Sequence, residues 1–424
     1  MVDKRLFPYD LAVVAIMKNE GPYVKEWLDY HLLAGVDHFY IYDNESPDNQ
    51  KEILQPYIDA GIVTYTFYPG RARQYAAYND AFQSFKFECR YMAIIDGDEF
   101  IFPKSKSTIN EVVDEILLSN QNFSALGVNW VLFGSNGQEH ADYTRGVLDR
   151  FPARDSKVSN HIKTIANPRM IDFFQNPHYA IYFDGKYSVS ETGKPFLGPF
   201  NEERTAEKIS INHYHTKSYE EYAKKIERGN ADGTIKRSME IFKMHDLNEV
   251  VDDGITKYRD ARRAALIPEG RGIEVLFPRK QVNYFQLVNS LINALFPTQT
   301  KGTPLTFYQG QMETFLTCLS LADFLRKKYF EESAAKFFEE ASLQALLKTL
   351  ATGMTLADIM LFIRELPRIL LMNYPVVKDI REMMIKMFPQ ILEYFRNGNR
   401  WQEFKELEFI FSMLKTADSL SVRG

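Results

Sequence analysis

Short apolar runs alternate with helical patterns over the first hundred residues, and this alternation strongly limits the folds open to the chain. Leu11–Met17 is a continuous apolar run rich in β-branched residues, which is typical of a strand buried on both faces. Similar runs occupy residues 38–43, 62–68 and 91–96, and helical patterns lie between them. Strands that alternate with helices form a parallel sheet covered on both faces. We therefore predict an α/β fold with a Rossmann-like, mostly parallel sheet.

The pattern changes towards the C-terminus. From about residue 283 to residue 414, Leu, Met and Phe recur at helical spacing. A length of 424 residues also predicts two to three domains. We predict a catalytic α/β domain at 1–266, a linker containing Pro and Gly at 267–282, and an α-helical domain at 283–424.

Composition excludes several classes of protein. The chain has 51 basic and 56 acidic residues, so it lacks the basic excess of a nucleic-acid-binding protein. Cys89 and Cys318 are its only cysteines, too few for a disulfide framework or a cysteine-based zinc site. The first apolar run is far shorter than the ~20 residues of a membrane span. We expect a cytoplasmic protein without a transmembrane segment.

Polar side chains follow all four predicted strands. Ligands of a parallel sheet bind at the carboxyl ends of its strands, so these side chains are expected to converge. Each one alone is most simply a cap or turn residue. The residues concerned include Asn19, Glu20, Asp43, Gln74, Asp96 and Asp98.

Asp96-Gly-Asp98 is the D-x-D motif of the chain, at the end of the fourth strand. Two carboxylates placed together at the end of a buried strand need a cation or hydrogen bonds to compensate their charge. Oxygen ligands that also face a phosphate suit Mg²⁺ or Mn²⁺, which would help a pyrophosphate to leave. The motif predicts a divalent metal site.

Six blocks in a fixed order resemble glycosyltransferases of the GT-A fold, specifically bacterial relatives of families 2 and 92. The similarity covers roughly residues 10–265. The blocks are Ala15-Ile-Met-Lys-Asn-Glu20, Tyr40-Ile-Tyr-Asp43, Gln74-x-x-Ala-Tyr-Asn79, Ile95-Asp-Gly-Asp-Glu-Phe100, Trp130-Val-Leu-Phe-Gly-Ser135 and Ile211-Asn-His213-Tyr-His-Thr-Lys217.

The resemblance implies a role for each block. Asn19, Glu20 and Asp43 would line the nucleotide pocket, Asp96 would face the ribose and the metal, and Asp98 would bind the metal. His213 is the implied third ligand, although a buried core histidine is an equal alternative. Gln74 and Asn79 would contact the donor sugar or diphosphate, unless Asn79 bonds within its helix. Lys217 would stabilise the departing diphosphate, and Trp130 and Ser135 would face the acceptor.

The resemblance also implies a metal-dependent transfer, with Mn²⁺ or Mg²⁺, from a nucleotide-sugar donor, with a UDP-sugar expected, to a glycan or glycolipid hydroxyl. Inversion needs a carboxylate base. Glu139 and Asp142 are the first candidates and Glu191 the second, and each is also an ordinary loop acid. Bacterial surface polysaccharide synthesis is the expected role. Contact with the inner membrane and a homodimer through the helical domain are further hypotheses.

Two other functions stay open at this point. Gly97-Asp98-Glu99-Phe100 resembles the end of the diguanylate cyclase signature, but the first strand lacks the acid that those enzymes carry. A degenerate transferase fold that only binds ligands is the second alternative. The reaction product distinguishes these functions.

Overall fold

The structure, a computed structural model, describes residues 7–258 except 121, 183–184 and 230–236, and then helical residues between 311 and 412. The chain divides into two compact units, Asp3–Asn283 and Tyr284–Gly424. The predicted linker at 267–282 lies outside the described residues.

The first part of the N-terminal unit alternates strands with helices. The elements are β1 (Tyr9–Met17), α1 (Gly21–Leu33), β2 (His38–Asp43), α2 (Gln50–Asp59), β3 (Val63–Phe67), α3 (Gln74–Phe85) and β4 (Cys89–Ile94). The four strands are parallel and lie in the order β3-β2-β1-β4. The predicted α/β class with a mostly parallel sheet is confirmed.

Strand β1 is buried on both faces, as its continuous apolar run predicts. Leu11 and Val13 face a core that includes Trp27 of α1. Ala12 and Val14 face a second core on the opposite side, which includes residues of α3. Successive side chains of a strand point to opposite faces, so one apolar run supplies both cores.

The second part of this unit extends the sheet with mixed strand directions. Its elements are β5 (Glu99–Pro103), α4 (Ile109–Leu117), β6 (Phe123–Leu132), α5 (Val147–Arg150), β7 (Ala153–Arg154), β8 (Ile162–Ala166), β9 (Ile171–Phe174), β10 (Ala180–Tyr182), β11 (Tyr187–Val189), β12 (Pro195–Phe196), β13 (Ile209–His213), α6 (Tyr219–Arg228), α7 (Met239–His245) and β14 (Val250–Val251). Strand β8 lies antiparallel between β4 and β6. Strand β13 pairs with β6 in parallel and with β5 in antiparallel orientation.

Helix α6 begins at a capping box formed by Ser218 and Glu221. The Ser218 hydroxyl accepts a hydrogen bond from the Glu221 backbone N–H, and the Glu221 carboxylate accepts one from the Ser218 N–H. These reciprocal bonds satisfy two donors that a helix start leaves unpaired. The cap fixes the direction in which α6 leaves the end of β13.

The C-terminal unit is helical where the structure describes it. Its longer helices are α8 (Gln311–Phe324), α9 (Glu332–Thr352) and α10 (Pro375–Asn397). Apolar side chains such as Phe315, Leu319 and Phe338 are fully buried. Among the residues described in both units, no helix is long and apolar enough to cross a membrane.

Candidate functional site

Asp98 lies at the centre of the candidate site, in the turn between β4 and β5. Its side chain is 9% exposed, and Lys225 of α6 makes a close ion pair with it. His213 Nε2 lies 3.5 Å from the other carboxylate oxygen. Burial raises the pKa of a carboxyl, but Lys225 and His213 outweigh burial and hold the pKa of Asp98 well below its usual range.

Strand register brings the histidines to Asp98. His213 is the last residue of β13 and pairs with Glu99 of β5, the residue after Asp98. The Tyr214 N–H donates to the Asp98 carbonyl at 2.9 Å, which fixes the chain beyond β13. As a result, ligand atoms of Asp98, His213 and His215 all lie within 4.8 Å of one another.

This cluster fits a divalent cation in its donor chemistry. One carboxylate and two imidazoles suit Mn²⁺ or a similar borderline metal better than Mg²⁺, which prefers oxygen. Burial lowers the pKa of His213, so its ring favours the neutral form that a ligand must have. His213 Nδ1 is also buried without a hydrogen-bond partner. Asp98 and His213 were predicted as ligands from the sequence, whereas His215 was not.

Lys225 contacts two of these three residues, Asp98 and His215. Its ammonium donates to the Asp98 carboxylate and, at 2.9 Å, to the His215 carbonyl, and it lies 3.4 Å from His215 Nδ1. Burial lowers the pKa of Lys225 to about 8, against the opposing attraction of Asp98. Lys225 therefore provides a positive charge at the position where a cation would be held.

Asp96 is engaged by a different set of partners. Lys163 of β8, fully buried, donates to Asp96 Oδ2 at 2.8 Å. Gln74 Nε2 and the Tyr78 hydroxyl both donate to Oδ1 at 3.0 Å. Burial disfavours the charge, but Lys163 outweighs it and lowers the pKa of Asp96. Gln74 and Asp96, each predicted to lie in the donor site, are thus in contact with each other. Asp96 is not part of the cluster around Asp98.

A cleft of about 520 Å³ opens beside the Asp98 cluster, within the size range of small-molecule sites. Asn19, Glu20 and Lys217, three of the predicted nucleotide-sugar residues, line it. Its other lining residues are Pro22, Tyr23, Asp48, Asn49, Tyr143, His215, Thr216, Glu221, Lys224, Lys225, Glu227 and Arg228.

Lys217 has a constrained position in this cleft. Its φ is +51°, in the left-handed region that costs a residue with a side chain ~1–2 kcal/mol. Its ammonium lies 4.1 Å from the centre of the Tyr23 ring, a cation–π contact. Arg228, at the end of α6, forms an ion pair of 2.5 Å with Glu20. The cleft therefore carries Lys217, Lys225 and Arg228 as cations close to the Asp98 cluster.

Two predicted donor residues make hydrogen bonds within the protein. Asp43 is 2% exposed and accepts from the Tyr65 hydroxyl and the Ser46 N–H. The Asn79 amide donates to the carbonyls of Tyr75 and Phe174 and accepts from the Phe174 N–H. Asn79 thus joins α3 to β9, a structural role close to the alternative stated for it above.

Trp130 lies beside the cluster among histidines. Its ring centre is 4.3 Å from that of His213, and it stacks on His161 at 4.9 Å. The sequence does not reveal this grouping, because His161 is about 30 residues away along the chain, directly before β8. Ser135, the other predicted acceptor residue, is 2% exposed, and its hydroxyl accepts from the Gly137 N–H.

The candidate bases differ in their surroundings. Glu139 is exposed, and Asp142 accepts from the N–H and hydroxyl of Thr144, bonds that lower the pKa of Asp142. Both lie in the loop that carries Tyr143, a lining residue of the cleft. Glu191 instead accepts three backbone N–H bonds from residues 207–209. Its carboxylate therefore fixes the backbone at the start of β13.

The amino-acid sequence is similar to those of known proteins. The sequence profile of Glycosyltransferase family 92 matches residues 15–259, more than half of the chain. A glycosyltransferase family 92 protein of Ricinus communis is 26% identical over 39% of this chain and 30% of its own length. A galactan β-1,4-galactosyltransferase of Arabidopsis thaliana is 29% identical over 40% of this chain and 35% of its own length.

The chain thus spans about a third of the length of these relatives. Both are plant proteins, so they do not support the prediction of a bacterial relative. Among solved structures, residues 1–349 of S. aureus TarS in complex with UDP-GlcNAc are similar, with a TM-score of 0.32 and 12% identity. That alignment covers 84% of this chain and 90% of the TarS chain.

Proposed function

Since this chain belongs to glycosyltransferase family 92, we propose that it transfers a sugar from a nucleotide-diphosphate donor to a hydroxyl group of a glycan. The observation that carries the proposal is the cluster of Asp98, His213 and His215 beside a cleft lined by Lys217 and Arg228. A diphosphate needs neutralising charge when it leaves; Lys217 and Arg228 carry such charge, and a metal held by the cluster would add to it.

The proposed donor is a UDP-sugar, and the proposed cofactor is Mn²⁺ or Mg²⁺, held by Asp98, His213 and His215. When bound, such a metal would stabilise the negative charge that develops on the leaving diphosphate. Asn19 and Glu20 line the same cleft and are proposed to bind the nucleotide. The donor-site roles of four other residues stay predictions, because the hydrogen bonds of these residues to protein groups would compete with a ligand. These residues are Asp43, Gln74, Asn79 and Asp96.

Inversion is the proposed stereochemistry, and it requires a base on the acceptor side. Glu139 and Asp142 stay the candidates because their loop borders the cleft through Tyr143. Trp130 offers an aromatic face close to His213, which suits stacking against an acceptor sugar. Ser135 stays a prediction for the acceptor. Four further hypotheses also stay predictions: a bacterial surface-polysaccharide role, a cytoplasmic location, contact with the inner membrane and a homodimer.

Calorimetric titration of UDP, with and without Mn²⁺, tests the proposal on wild type and on Asp98→Ala. We expect Mn²⁺-dependent UDP binding in wild type and at least tenfold weaker binding in Asp98→Ala, with GDP as the comparison nucleotide. Glu115→Gln is the matched control, because Glu115 is an acid on α4 that pairs with Lys106 and Lys208. Equal Mn²⁺-dependent binding in Asp98→Ala would refute the site.

Transfer itself is tested by release of UDP from UDP-sugars in the presence of glycan acceptors. UDP-galactose is the first donor to test, because one relative is a galactan galactosyltransferase. Binding of neither nucleotide would favour the binding-module alternative. The diguanylate cyclase alternative predicts a cyclic dinucleotide product from GTP, and the family match does not support it.

A further inference from the structure

We propose that Lys225 is an internal competitor of the metal, which makes metal binding depend on the binding of a diphosphate. The Lys225 ammonium and the metal compete for the Asp98 carboxylate, and this part of the proposal is argued from contacts within the protein. The identification of the diphosphate as that of a nucleotide sugar rests on the proposed function.

The contacts of Lys225 overlap with those of a metal. Its ammonium has three N–H groups, and it has three neighbours that accept hydrogen bonds, all on two of the three candidate ligand residues. The side chains of Lys225 and Asp98 are 8% and 9% exposed, so little water separates the charges. A divalent cation on Asp98 and an ammonium on the same carboxylate would repel each other strongly at this distance. The two therefore exclude one another.

The cleft provides a second position for the ammonium. Lys225 lines the cleft together with Lys217 and Arg228, and a lysine side chain has four flexible methylene groups. A diphosphate in the cleft would attract the ammonium away from Asp98 and so release the carboxylate for the metal. Metal and diphosphate then each favour the binding of the other, and the two coupling factors must be equal.

Asp96 offers an internal comparison. Its partner Lys163 is fully buried, donates to Asp96 and to the Pro177 carbonyl, and lies 3.6 Å from Glu99. Lys163 does not line the cleft. Lys163 is therefore a fixed counter-charge, whereas Lys225 is an exchangeable one.

The test measures Mn²⁺ binding from the electron paramagnetic resonance signal of free Mn²⁺, with the full chain, with and without saturating UDP. In wild type we expect Mn²⁺ to bind at least tenfold more tightly with UDP. Lys225→Met should bind Mn²⁺ alone at least tenfold more tightly than wild type, and UDP should then increase the Mn²⁺ affinity by a smaller factor than it does in wild type. Lys106→Met is the matched control and should behave as wild type, because Lys106 pairs with Glu115 of α4 and does not line the cleft.

Unchanged Mn²⁺ affinity in folded Lys225→Met overturns the proposal. If that variant does not fold, wild type still decides, because equal Mn²⁺ affinity with and without UDP overturns the proposal. A gain of Mn²⁺ affinity in Lys225→Met without UDP binding in any variant supports the competition and counts against the proposed function. UDP binding with unchanged Mn²⁺ affinity overturns the competition and leaves the function standing.

Discussion

Replacing Arg150 by Met should destabilise the N-terminal unit strongly, because it leaves the charge of Glu221 buried without its counter-ion. Arg150 donates two hydrogen bonds to the Glu221 carboxylate, at 2.6 and 3.0 Å, and the two side chains are 1% and 2% exposed. Ser218 and Tyr23 also donate to this carboxylate. Removal of one partner of a buried pair costs ~3–5 kcal/mol.

The pKa of Glu221 reflects all the partners of this carboxylate together. Burial raises it, but the hydrogen bonds from Arg150, Ser218 and Tyr23 prevail and lower it from 4.5 to about 2. At about 1.4 kcal/mol for each pH unit, this corresponds to roughly 3 kcal/mol of stability. Because the pKa is lowered in the folded state, that stability is complete above pH 4.5 and is lost as the pH falls towards 2.

The assay is urea unfolding followed by tryptophan fluorescence in a Trp401→Phe background, so that the signal comes from Trp27 and Trp130 of the N-terminal unit. Arg150→Met should lower the free energy of unfolding by ~3 kcal/mol at pH 7. Addition of Glu221→Gln to this variant should restore more than half of the loss, because the buried charge is removed. A loss below ~1 kcal/mol, or a double variant as unstable as the sum of both single variants, would refute this reasoning.

Two further predictions concern backbone strain and protonation. Lys217→Gly should be more stable than Lys217→Ala by ~1 kcal/mol, because glycine adopts a φ of +51° without strain; equal thermal unfolding of the two variants would contradict this. Lowering the pH from 6.5 to 5 should cost the N-terminal unit ~2 kcal/mol through His31, whose pKa burial lowers from 6.5 to about 3, so that the ring takes up a proton only on unfolding. Urea unfolding at both pH values measures this loss, and a flat profile would count against it.

The sequence predicts the first half of the N-terminal unit closely because its signals are local. The bounds of β1 to β4 and of their helices follow apolar runs and helical spacing, and the carboxyl ends of the strands bring Asn19 and Glu20 to the cleft. The Ser218 capping box is a local signal too, because it needs only a serine and a glutamate three residues apart. Strand β5 was not predicted, because it is defined by pairing with β13, more than 100 residues later.

The partners of the acids could not be predicted for a similar reason. Lys224 and Lys225 are adjacent in sequence, yet one is at the surface and the other is buried on Asp98, because one residue turns the helix by about 100°. One signal was available: Glu221, Tyr222 and Lys225 share one side of α6, which is its buried side. Polar residues at such spacing next to a cap indicate a helix that faces a polar site.

The pairing of β13 with β5 has a consequence for the order in which the protein is made. The four parallel strands are complete once residue 94 has been synthesised, and Asp96 and Asp98 follow directly. Lys163 arrives about 65 residues later, His213 and His215 about 50 residues after that, and Lys225 last. A growing chain therefore has its acids long before their counter-charges, and they must remain in water until the late strand reaches them. The protein acquires its four parallel strands early in synthesis and completes the candidate site only when β13 and α6 have been added.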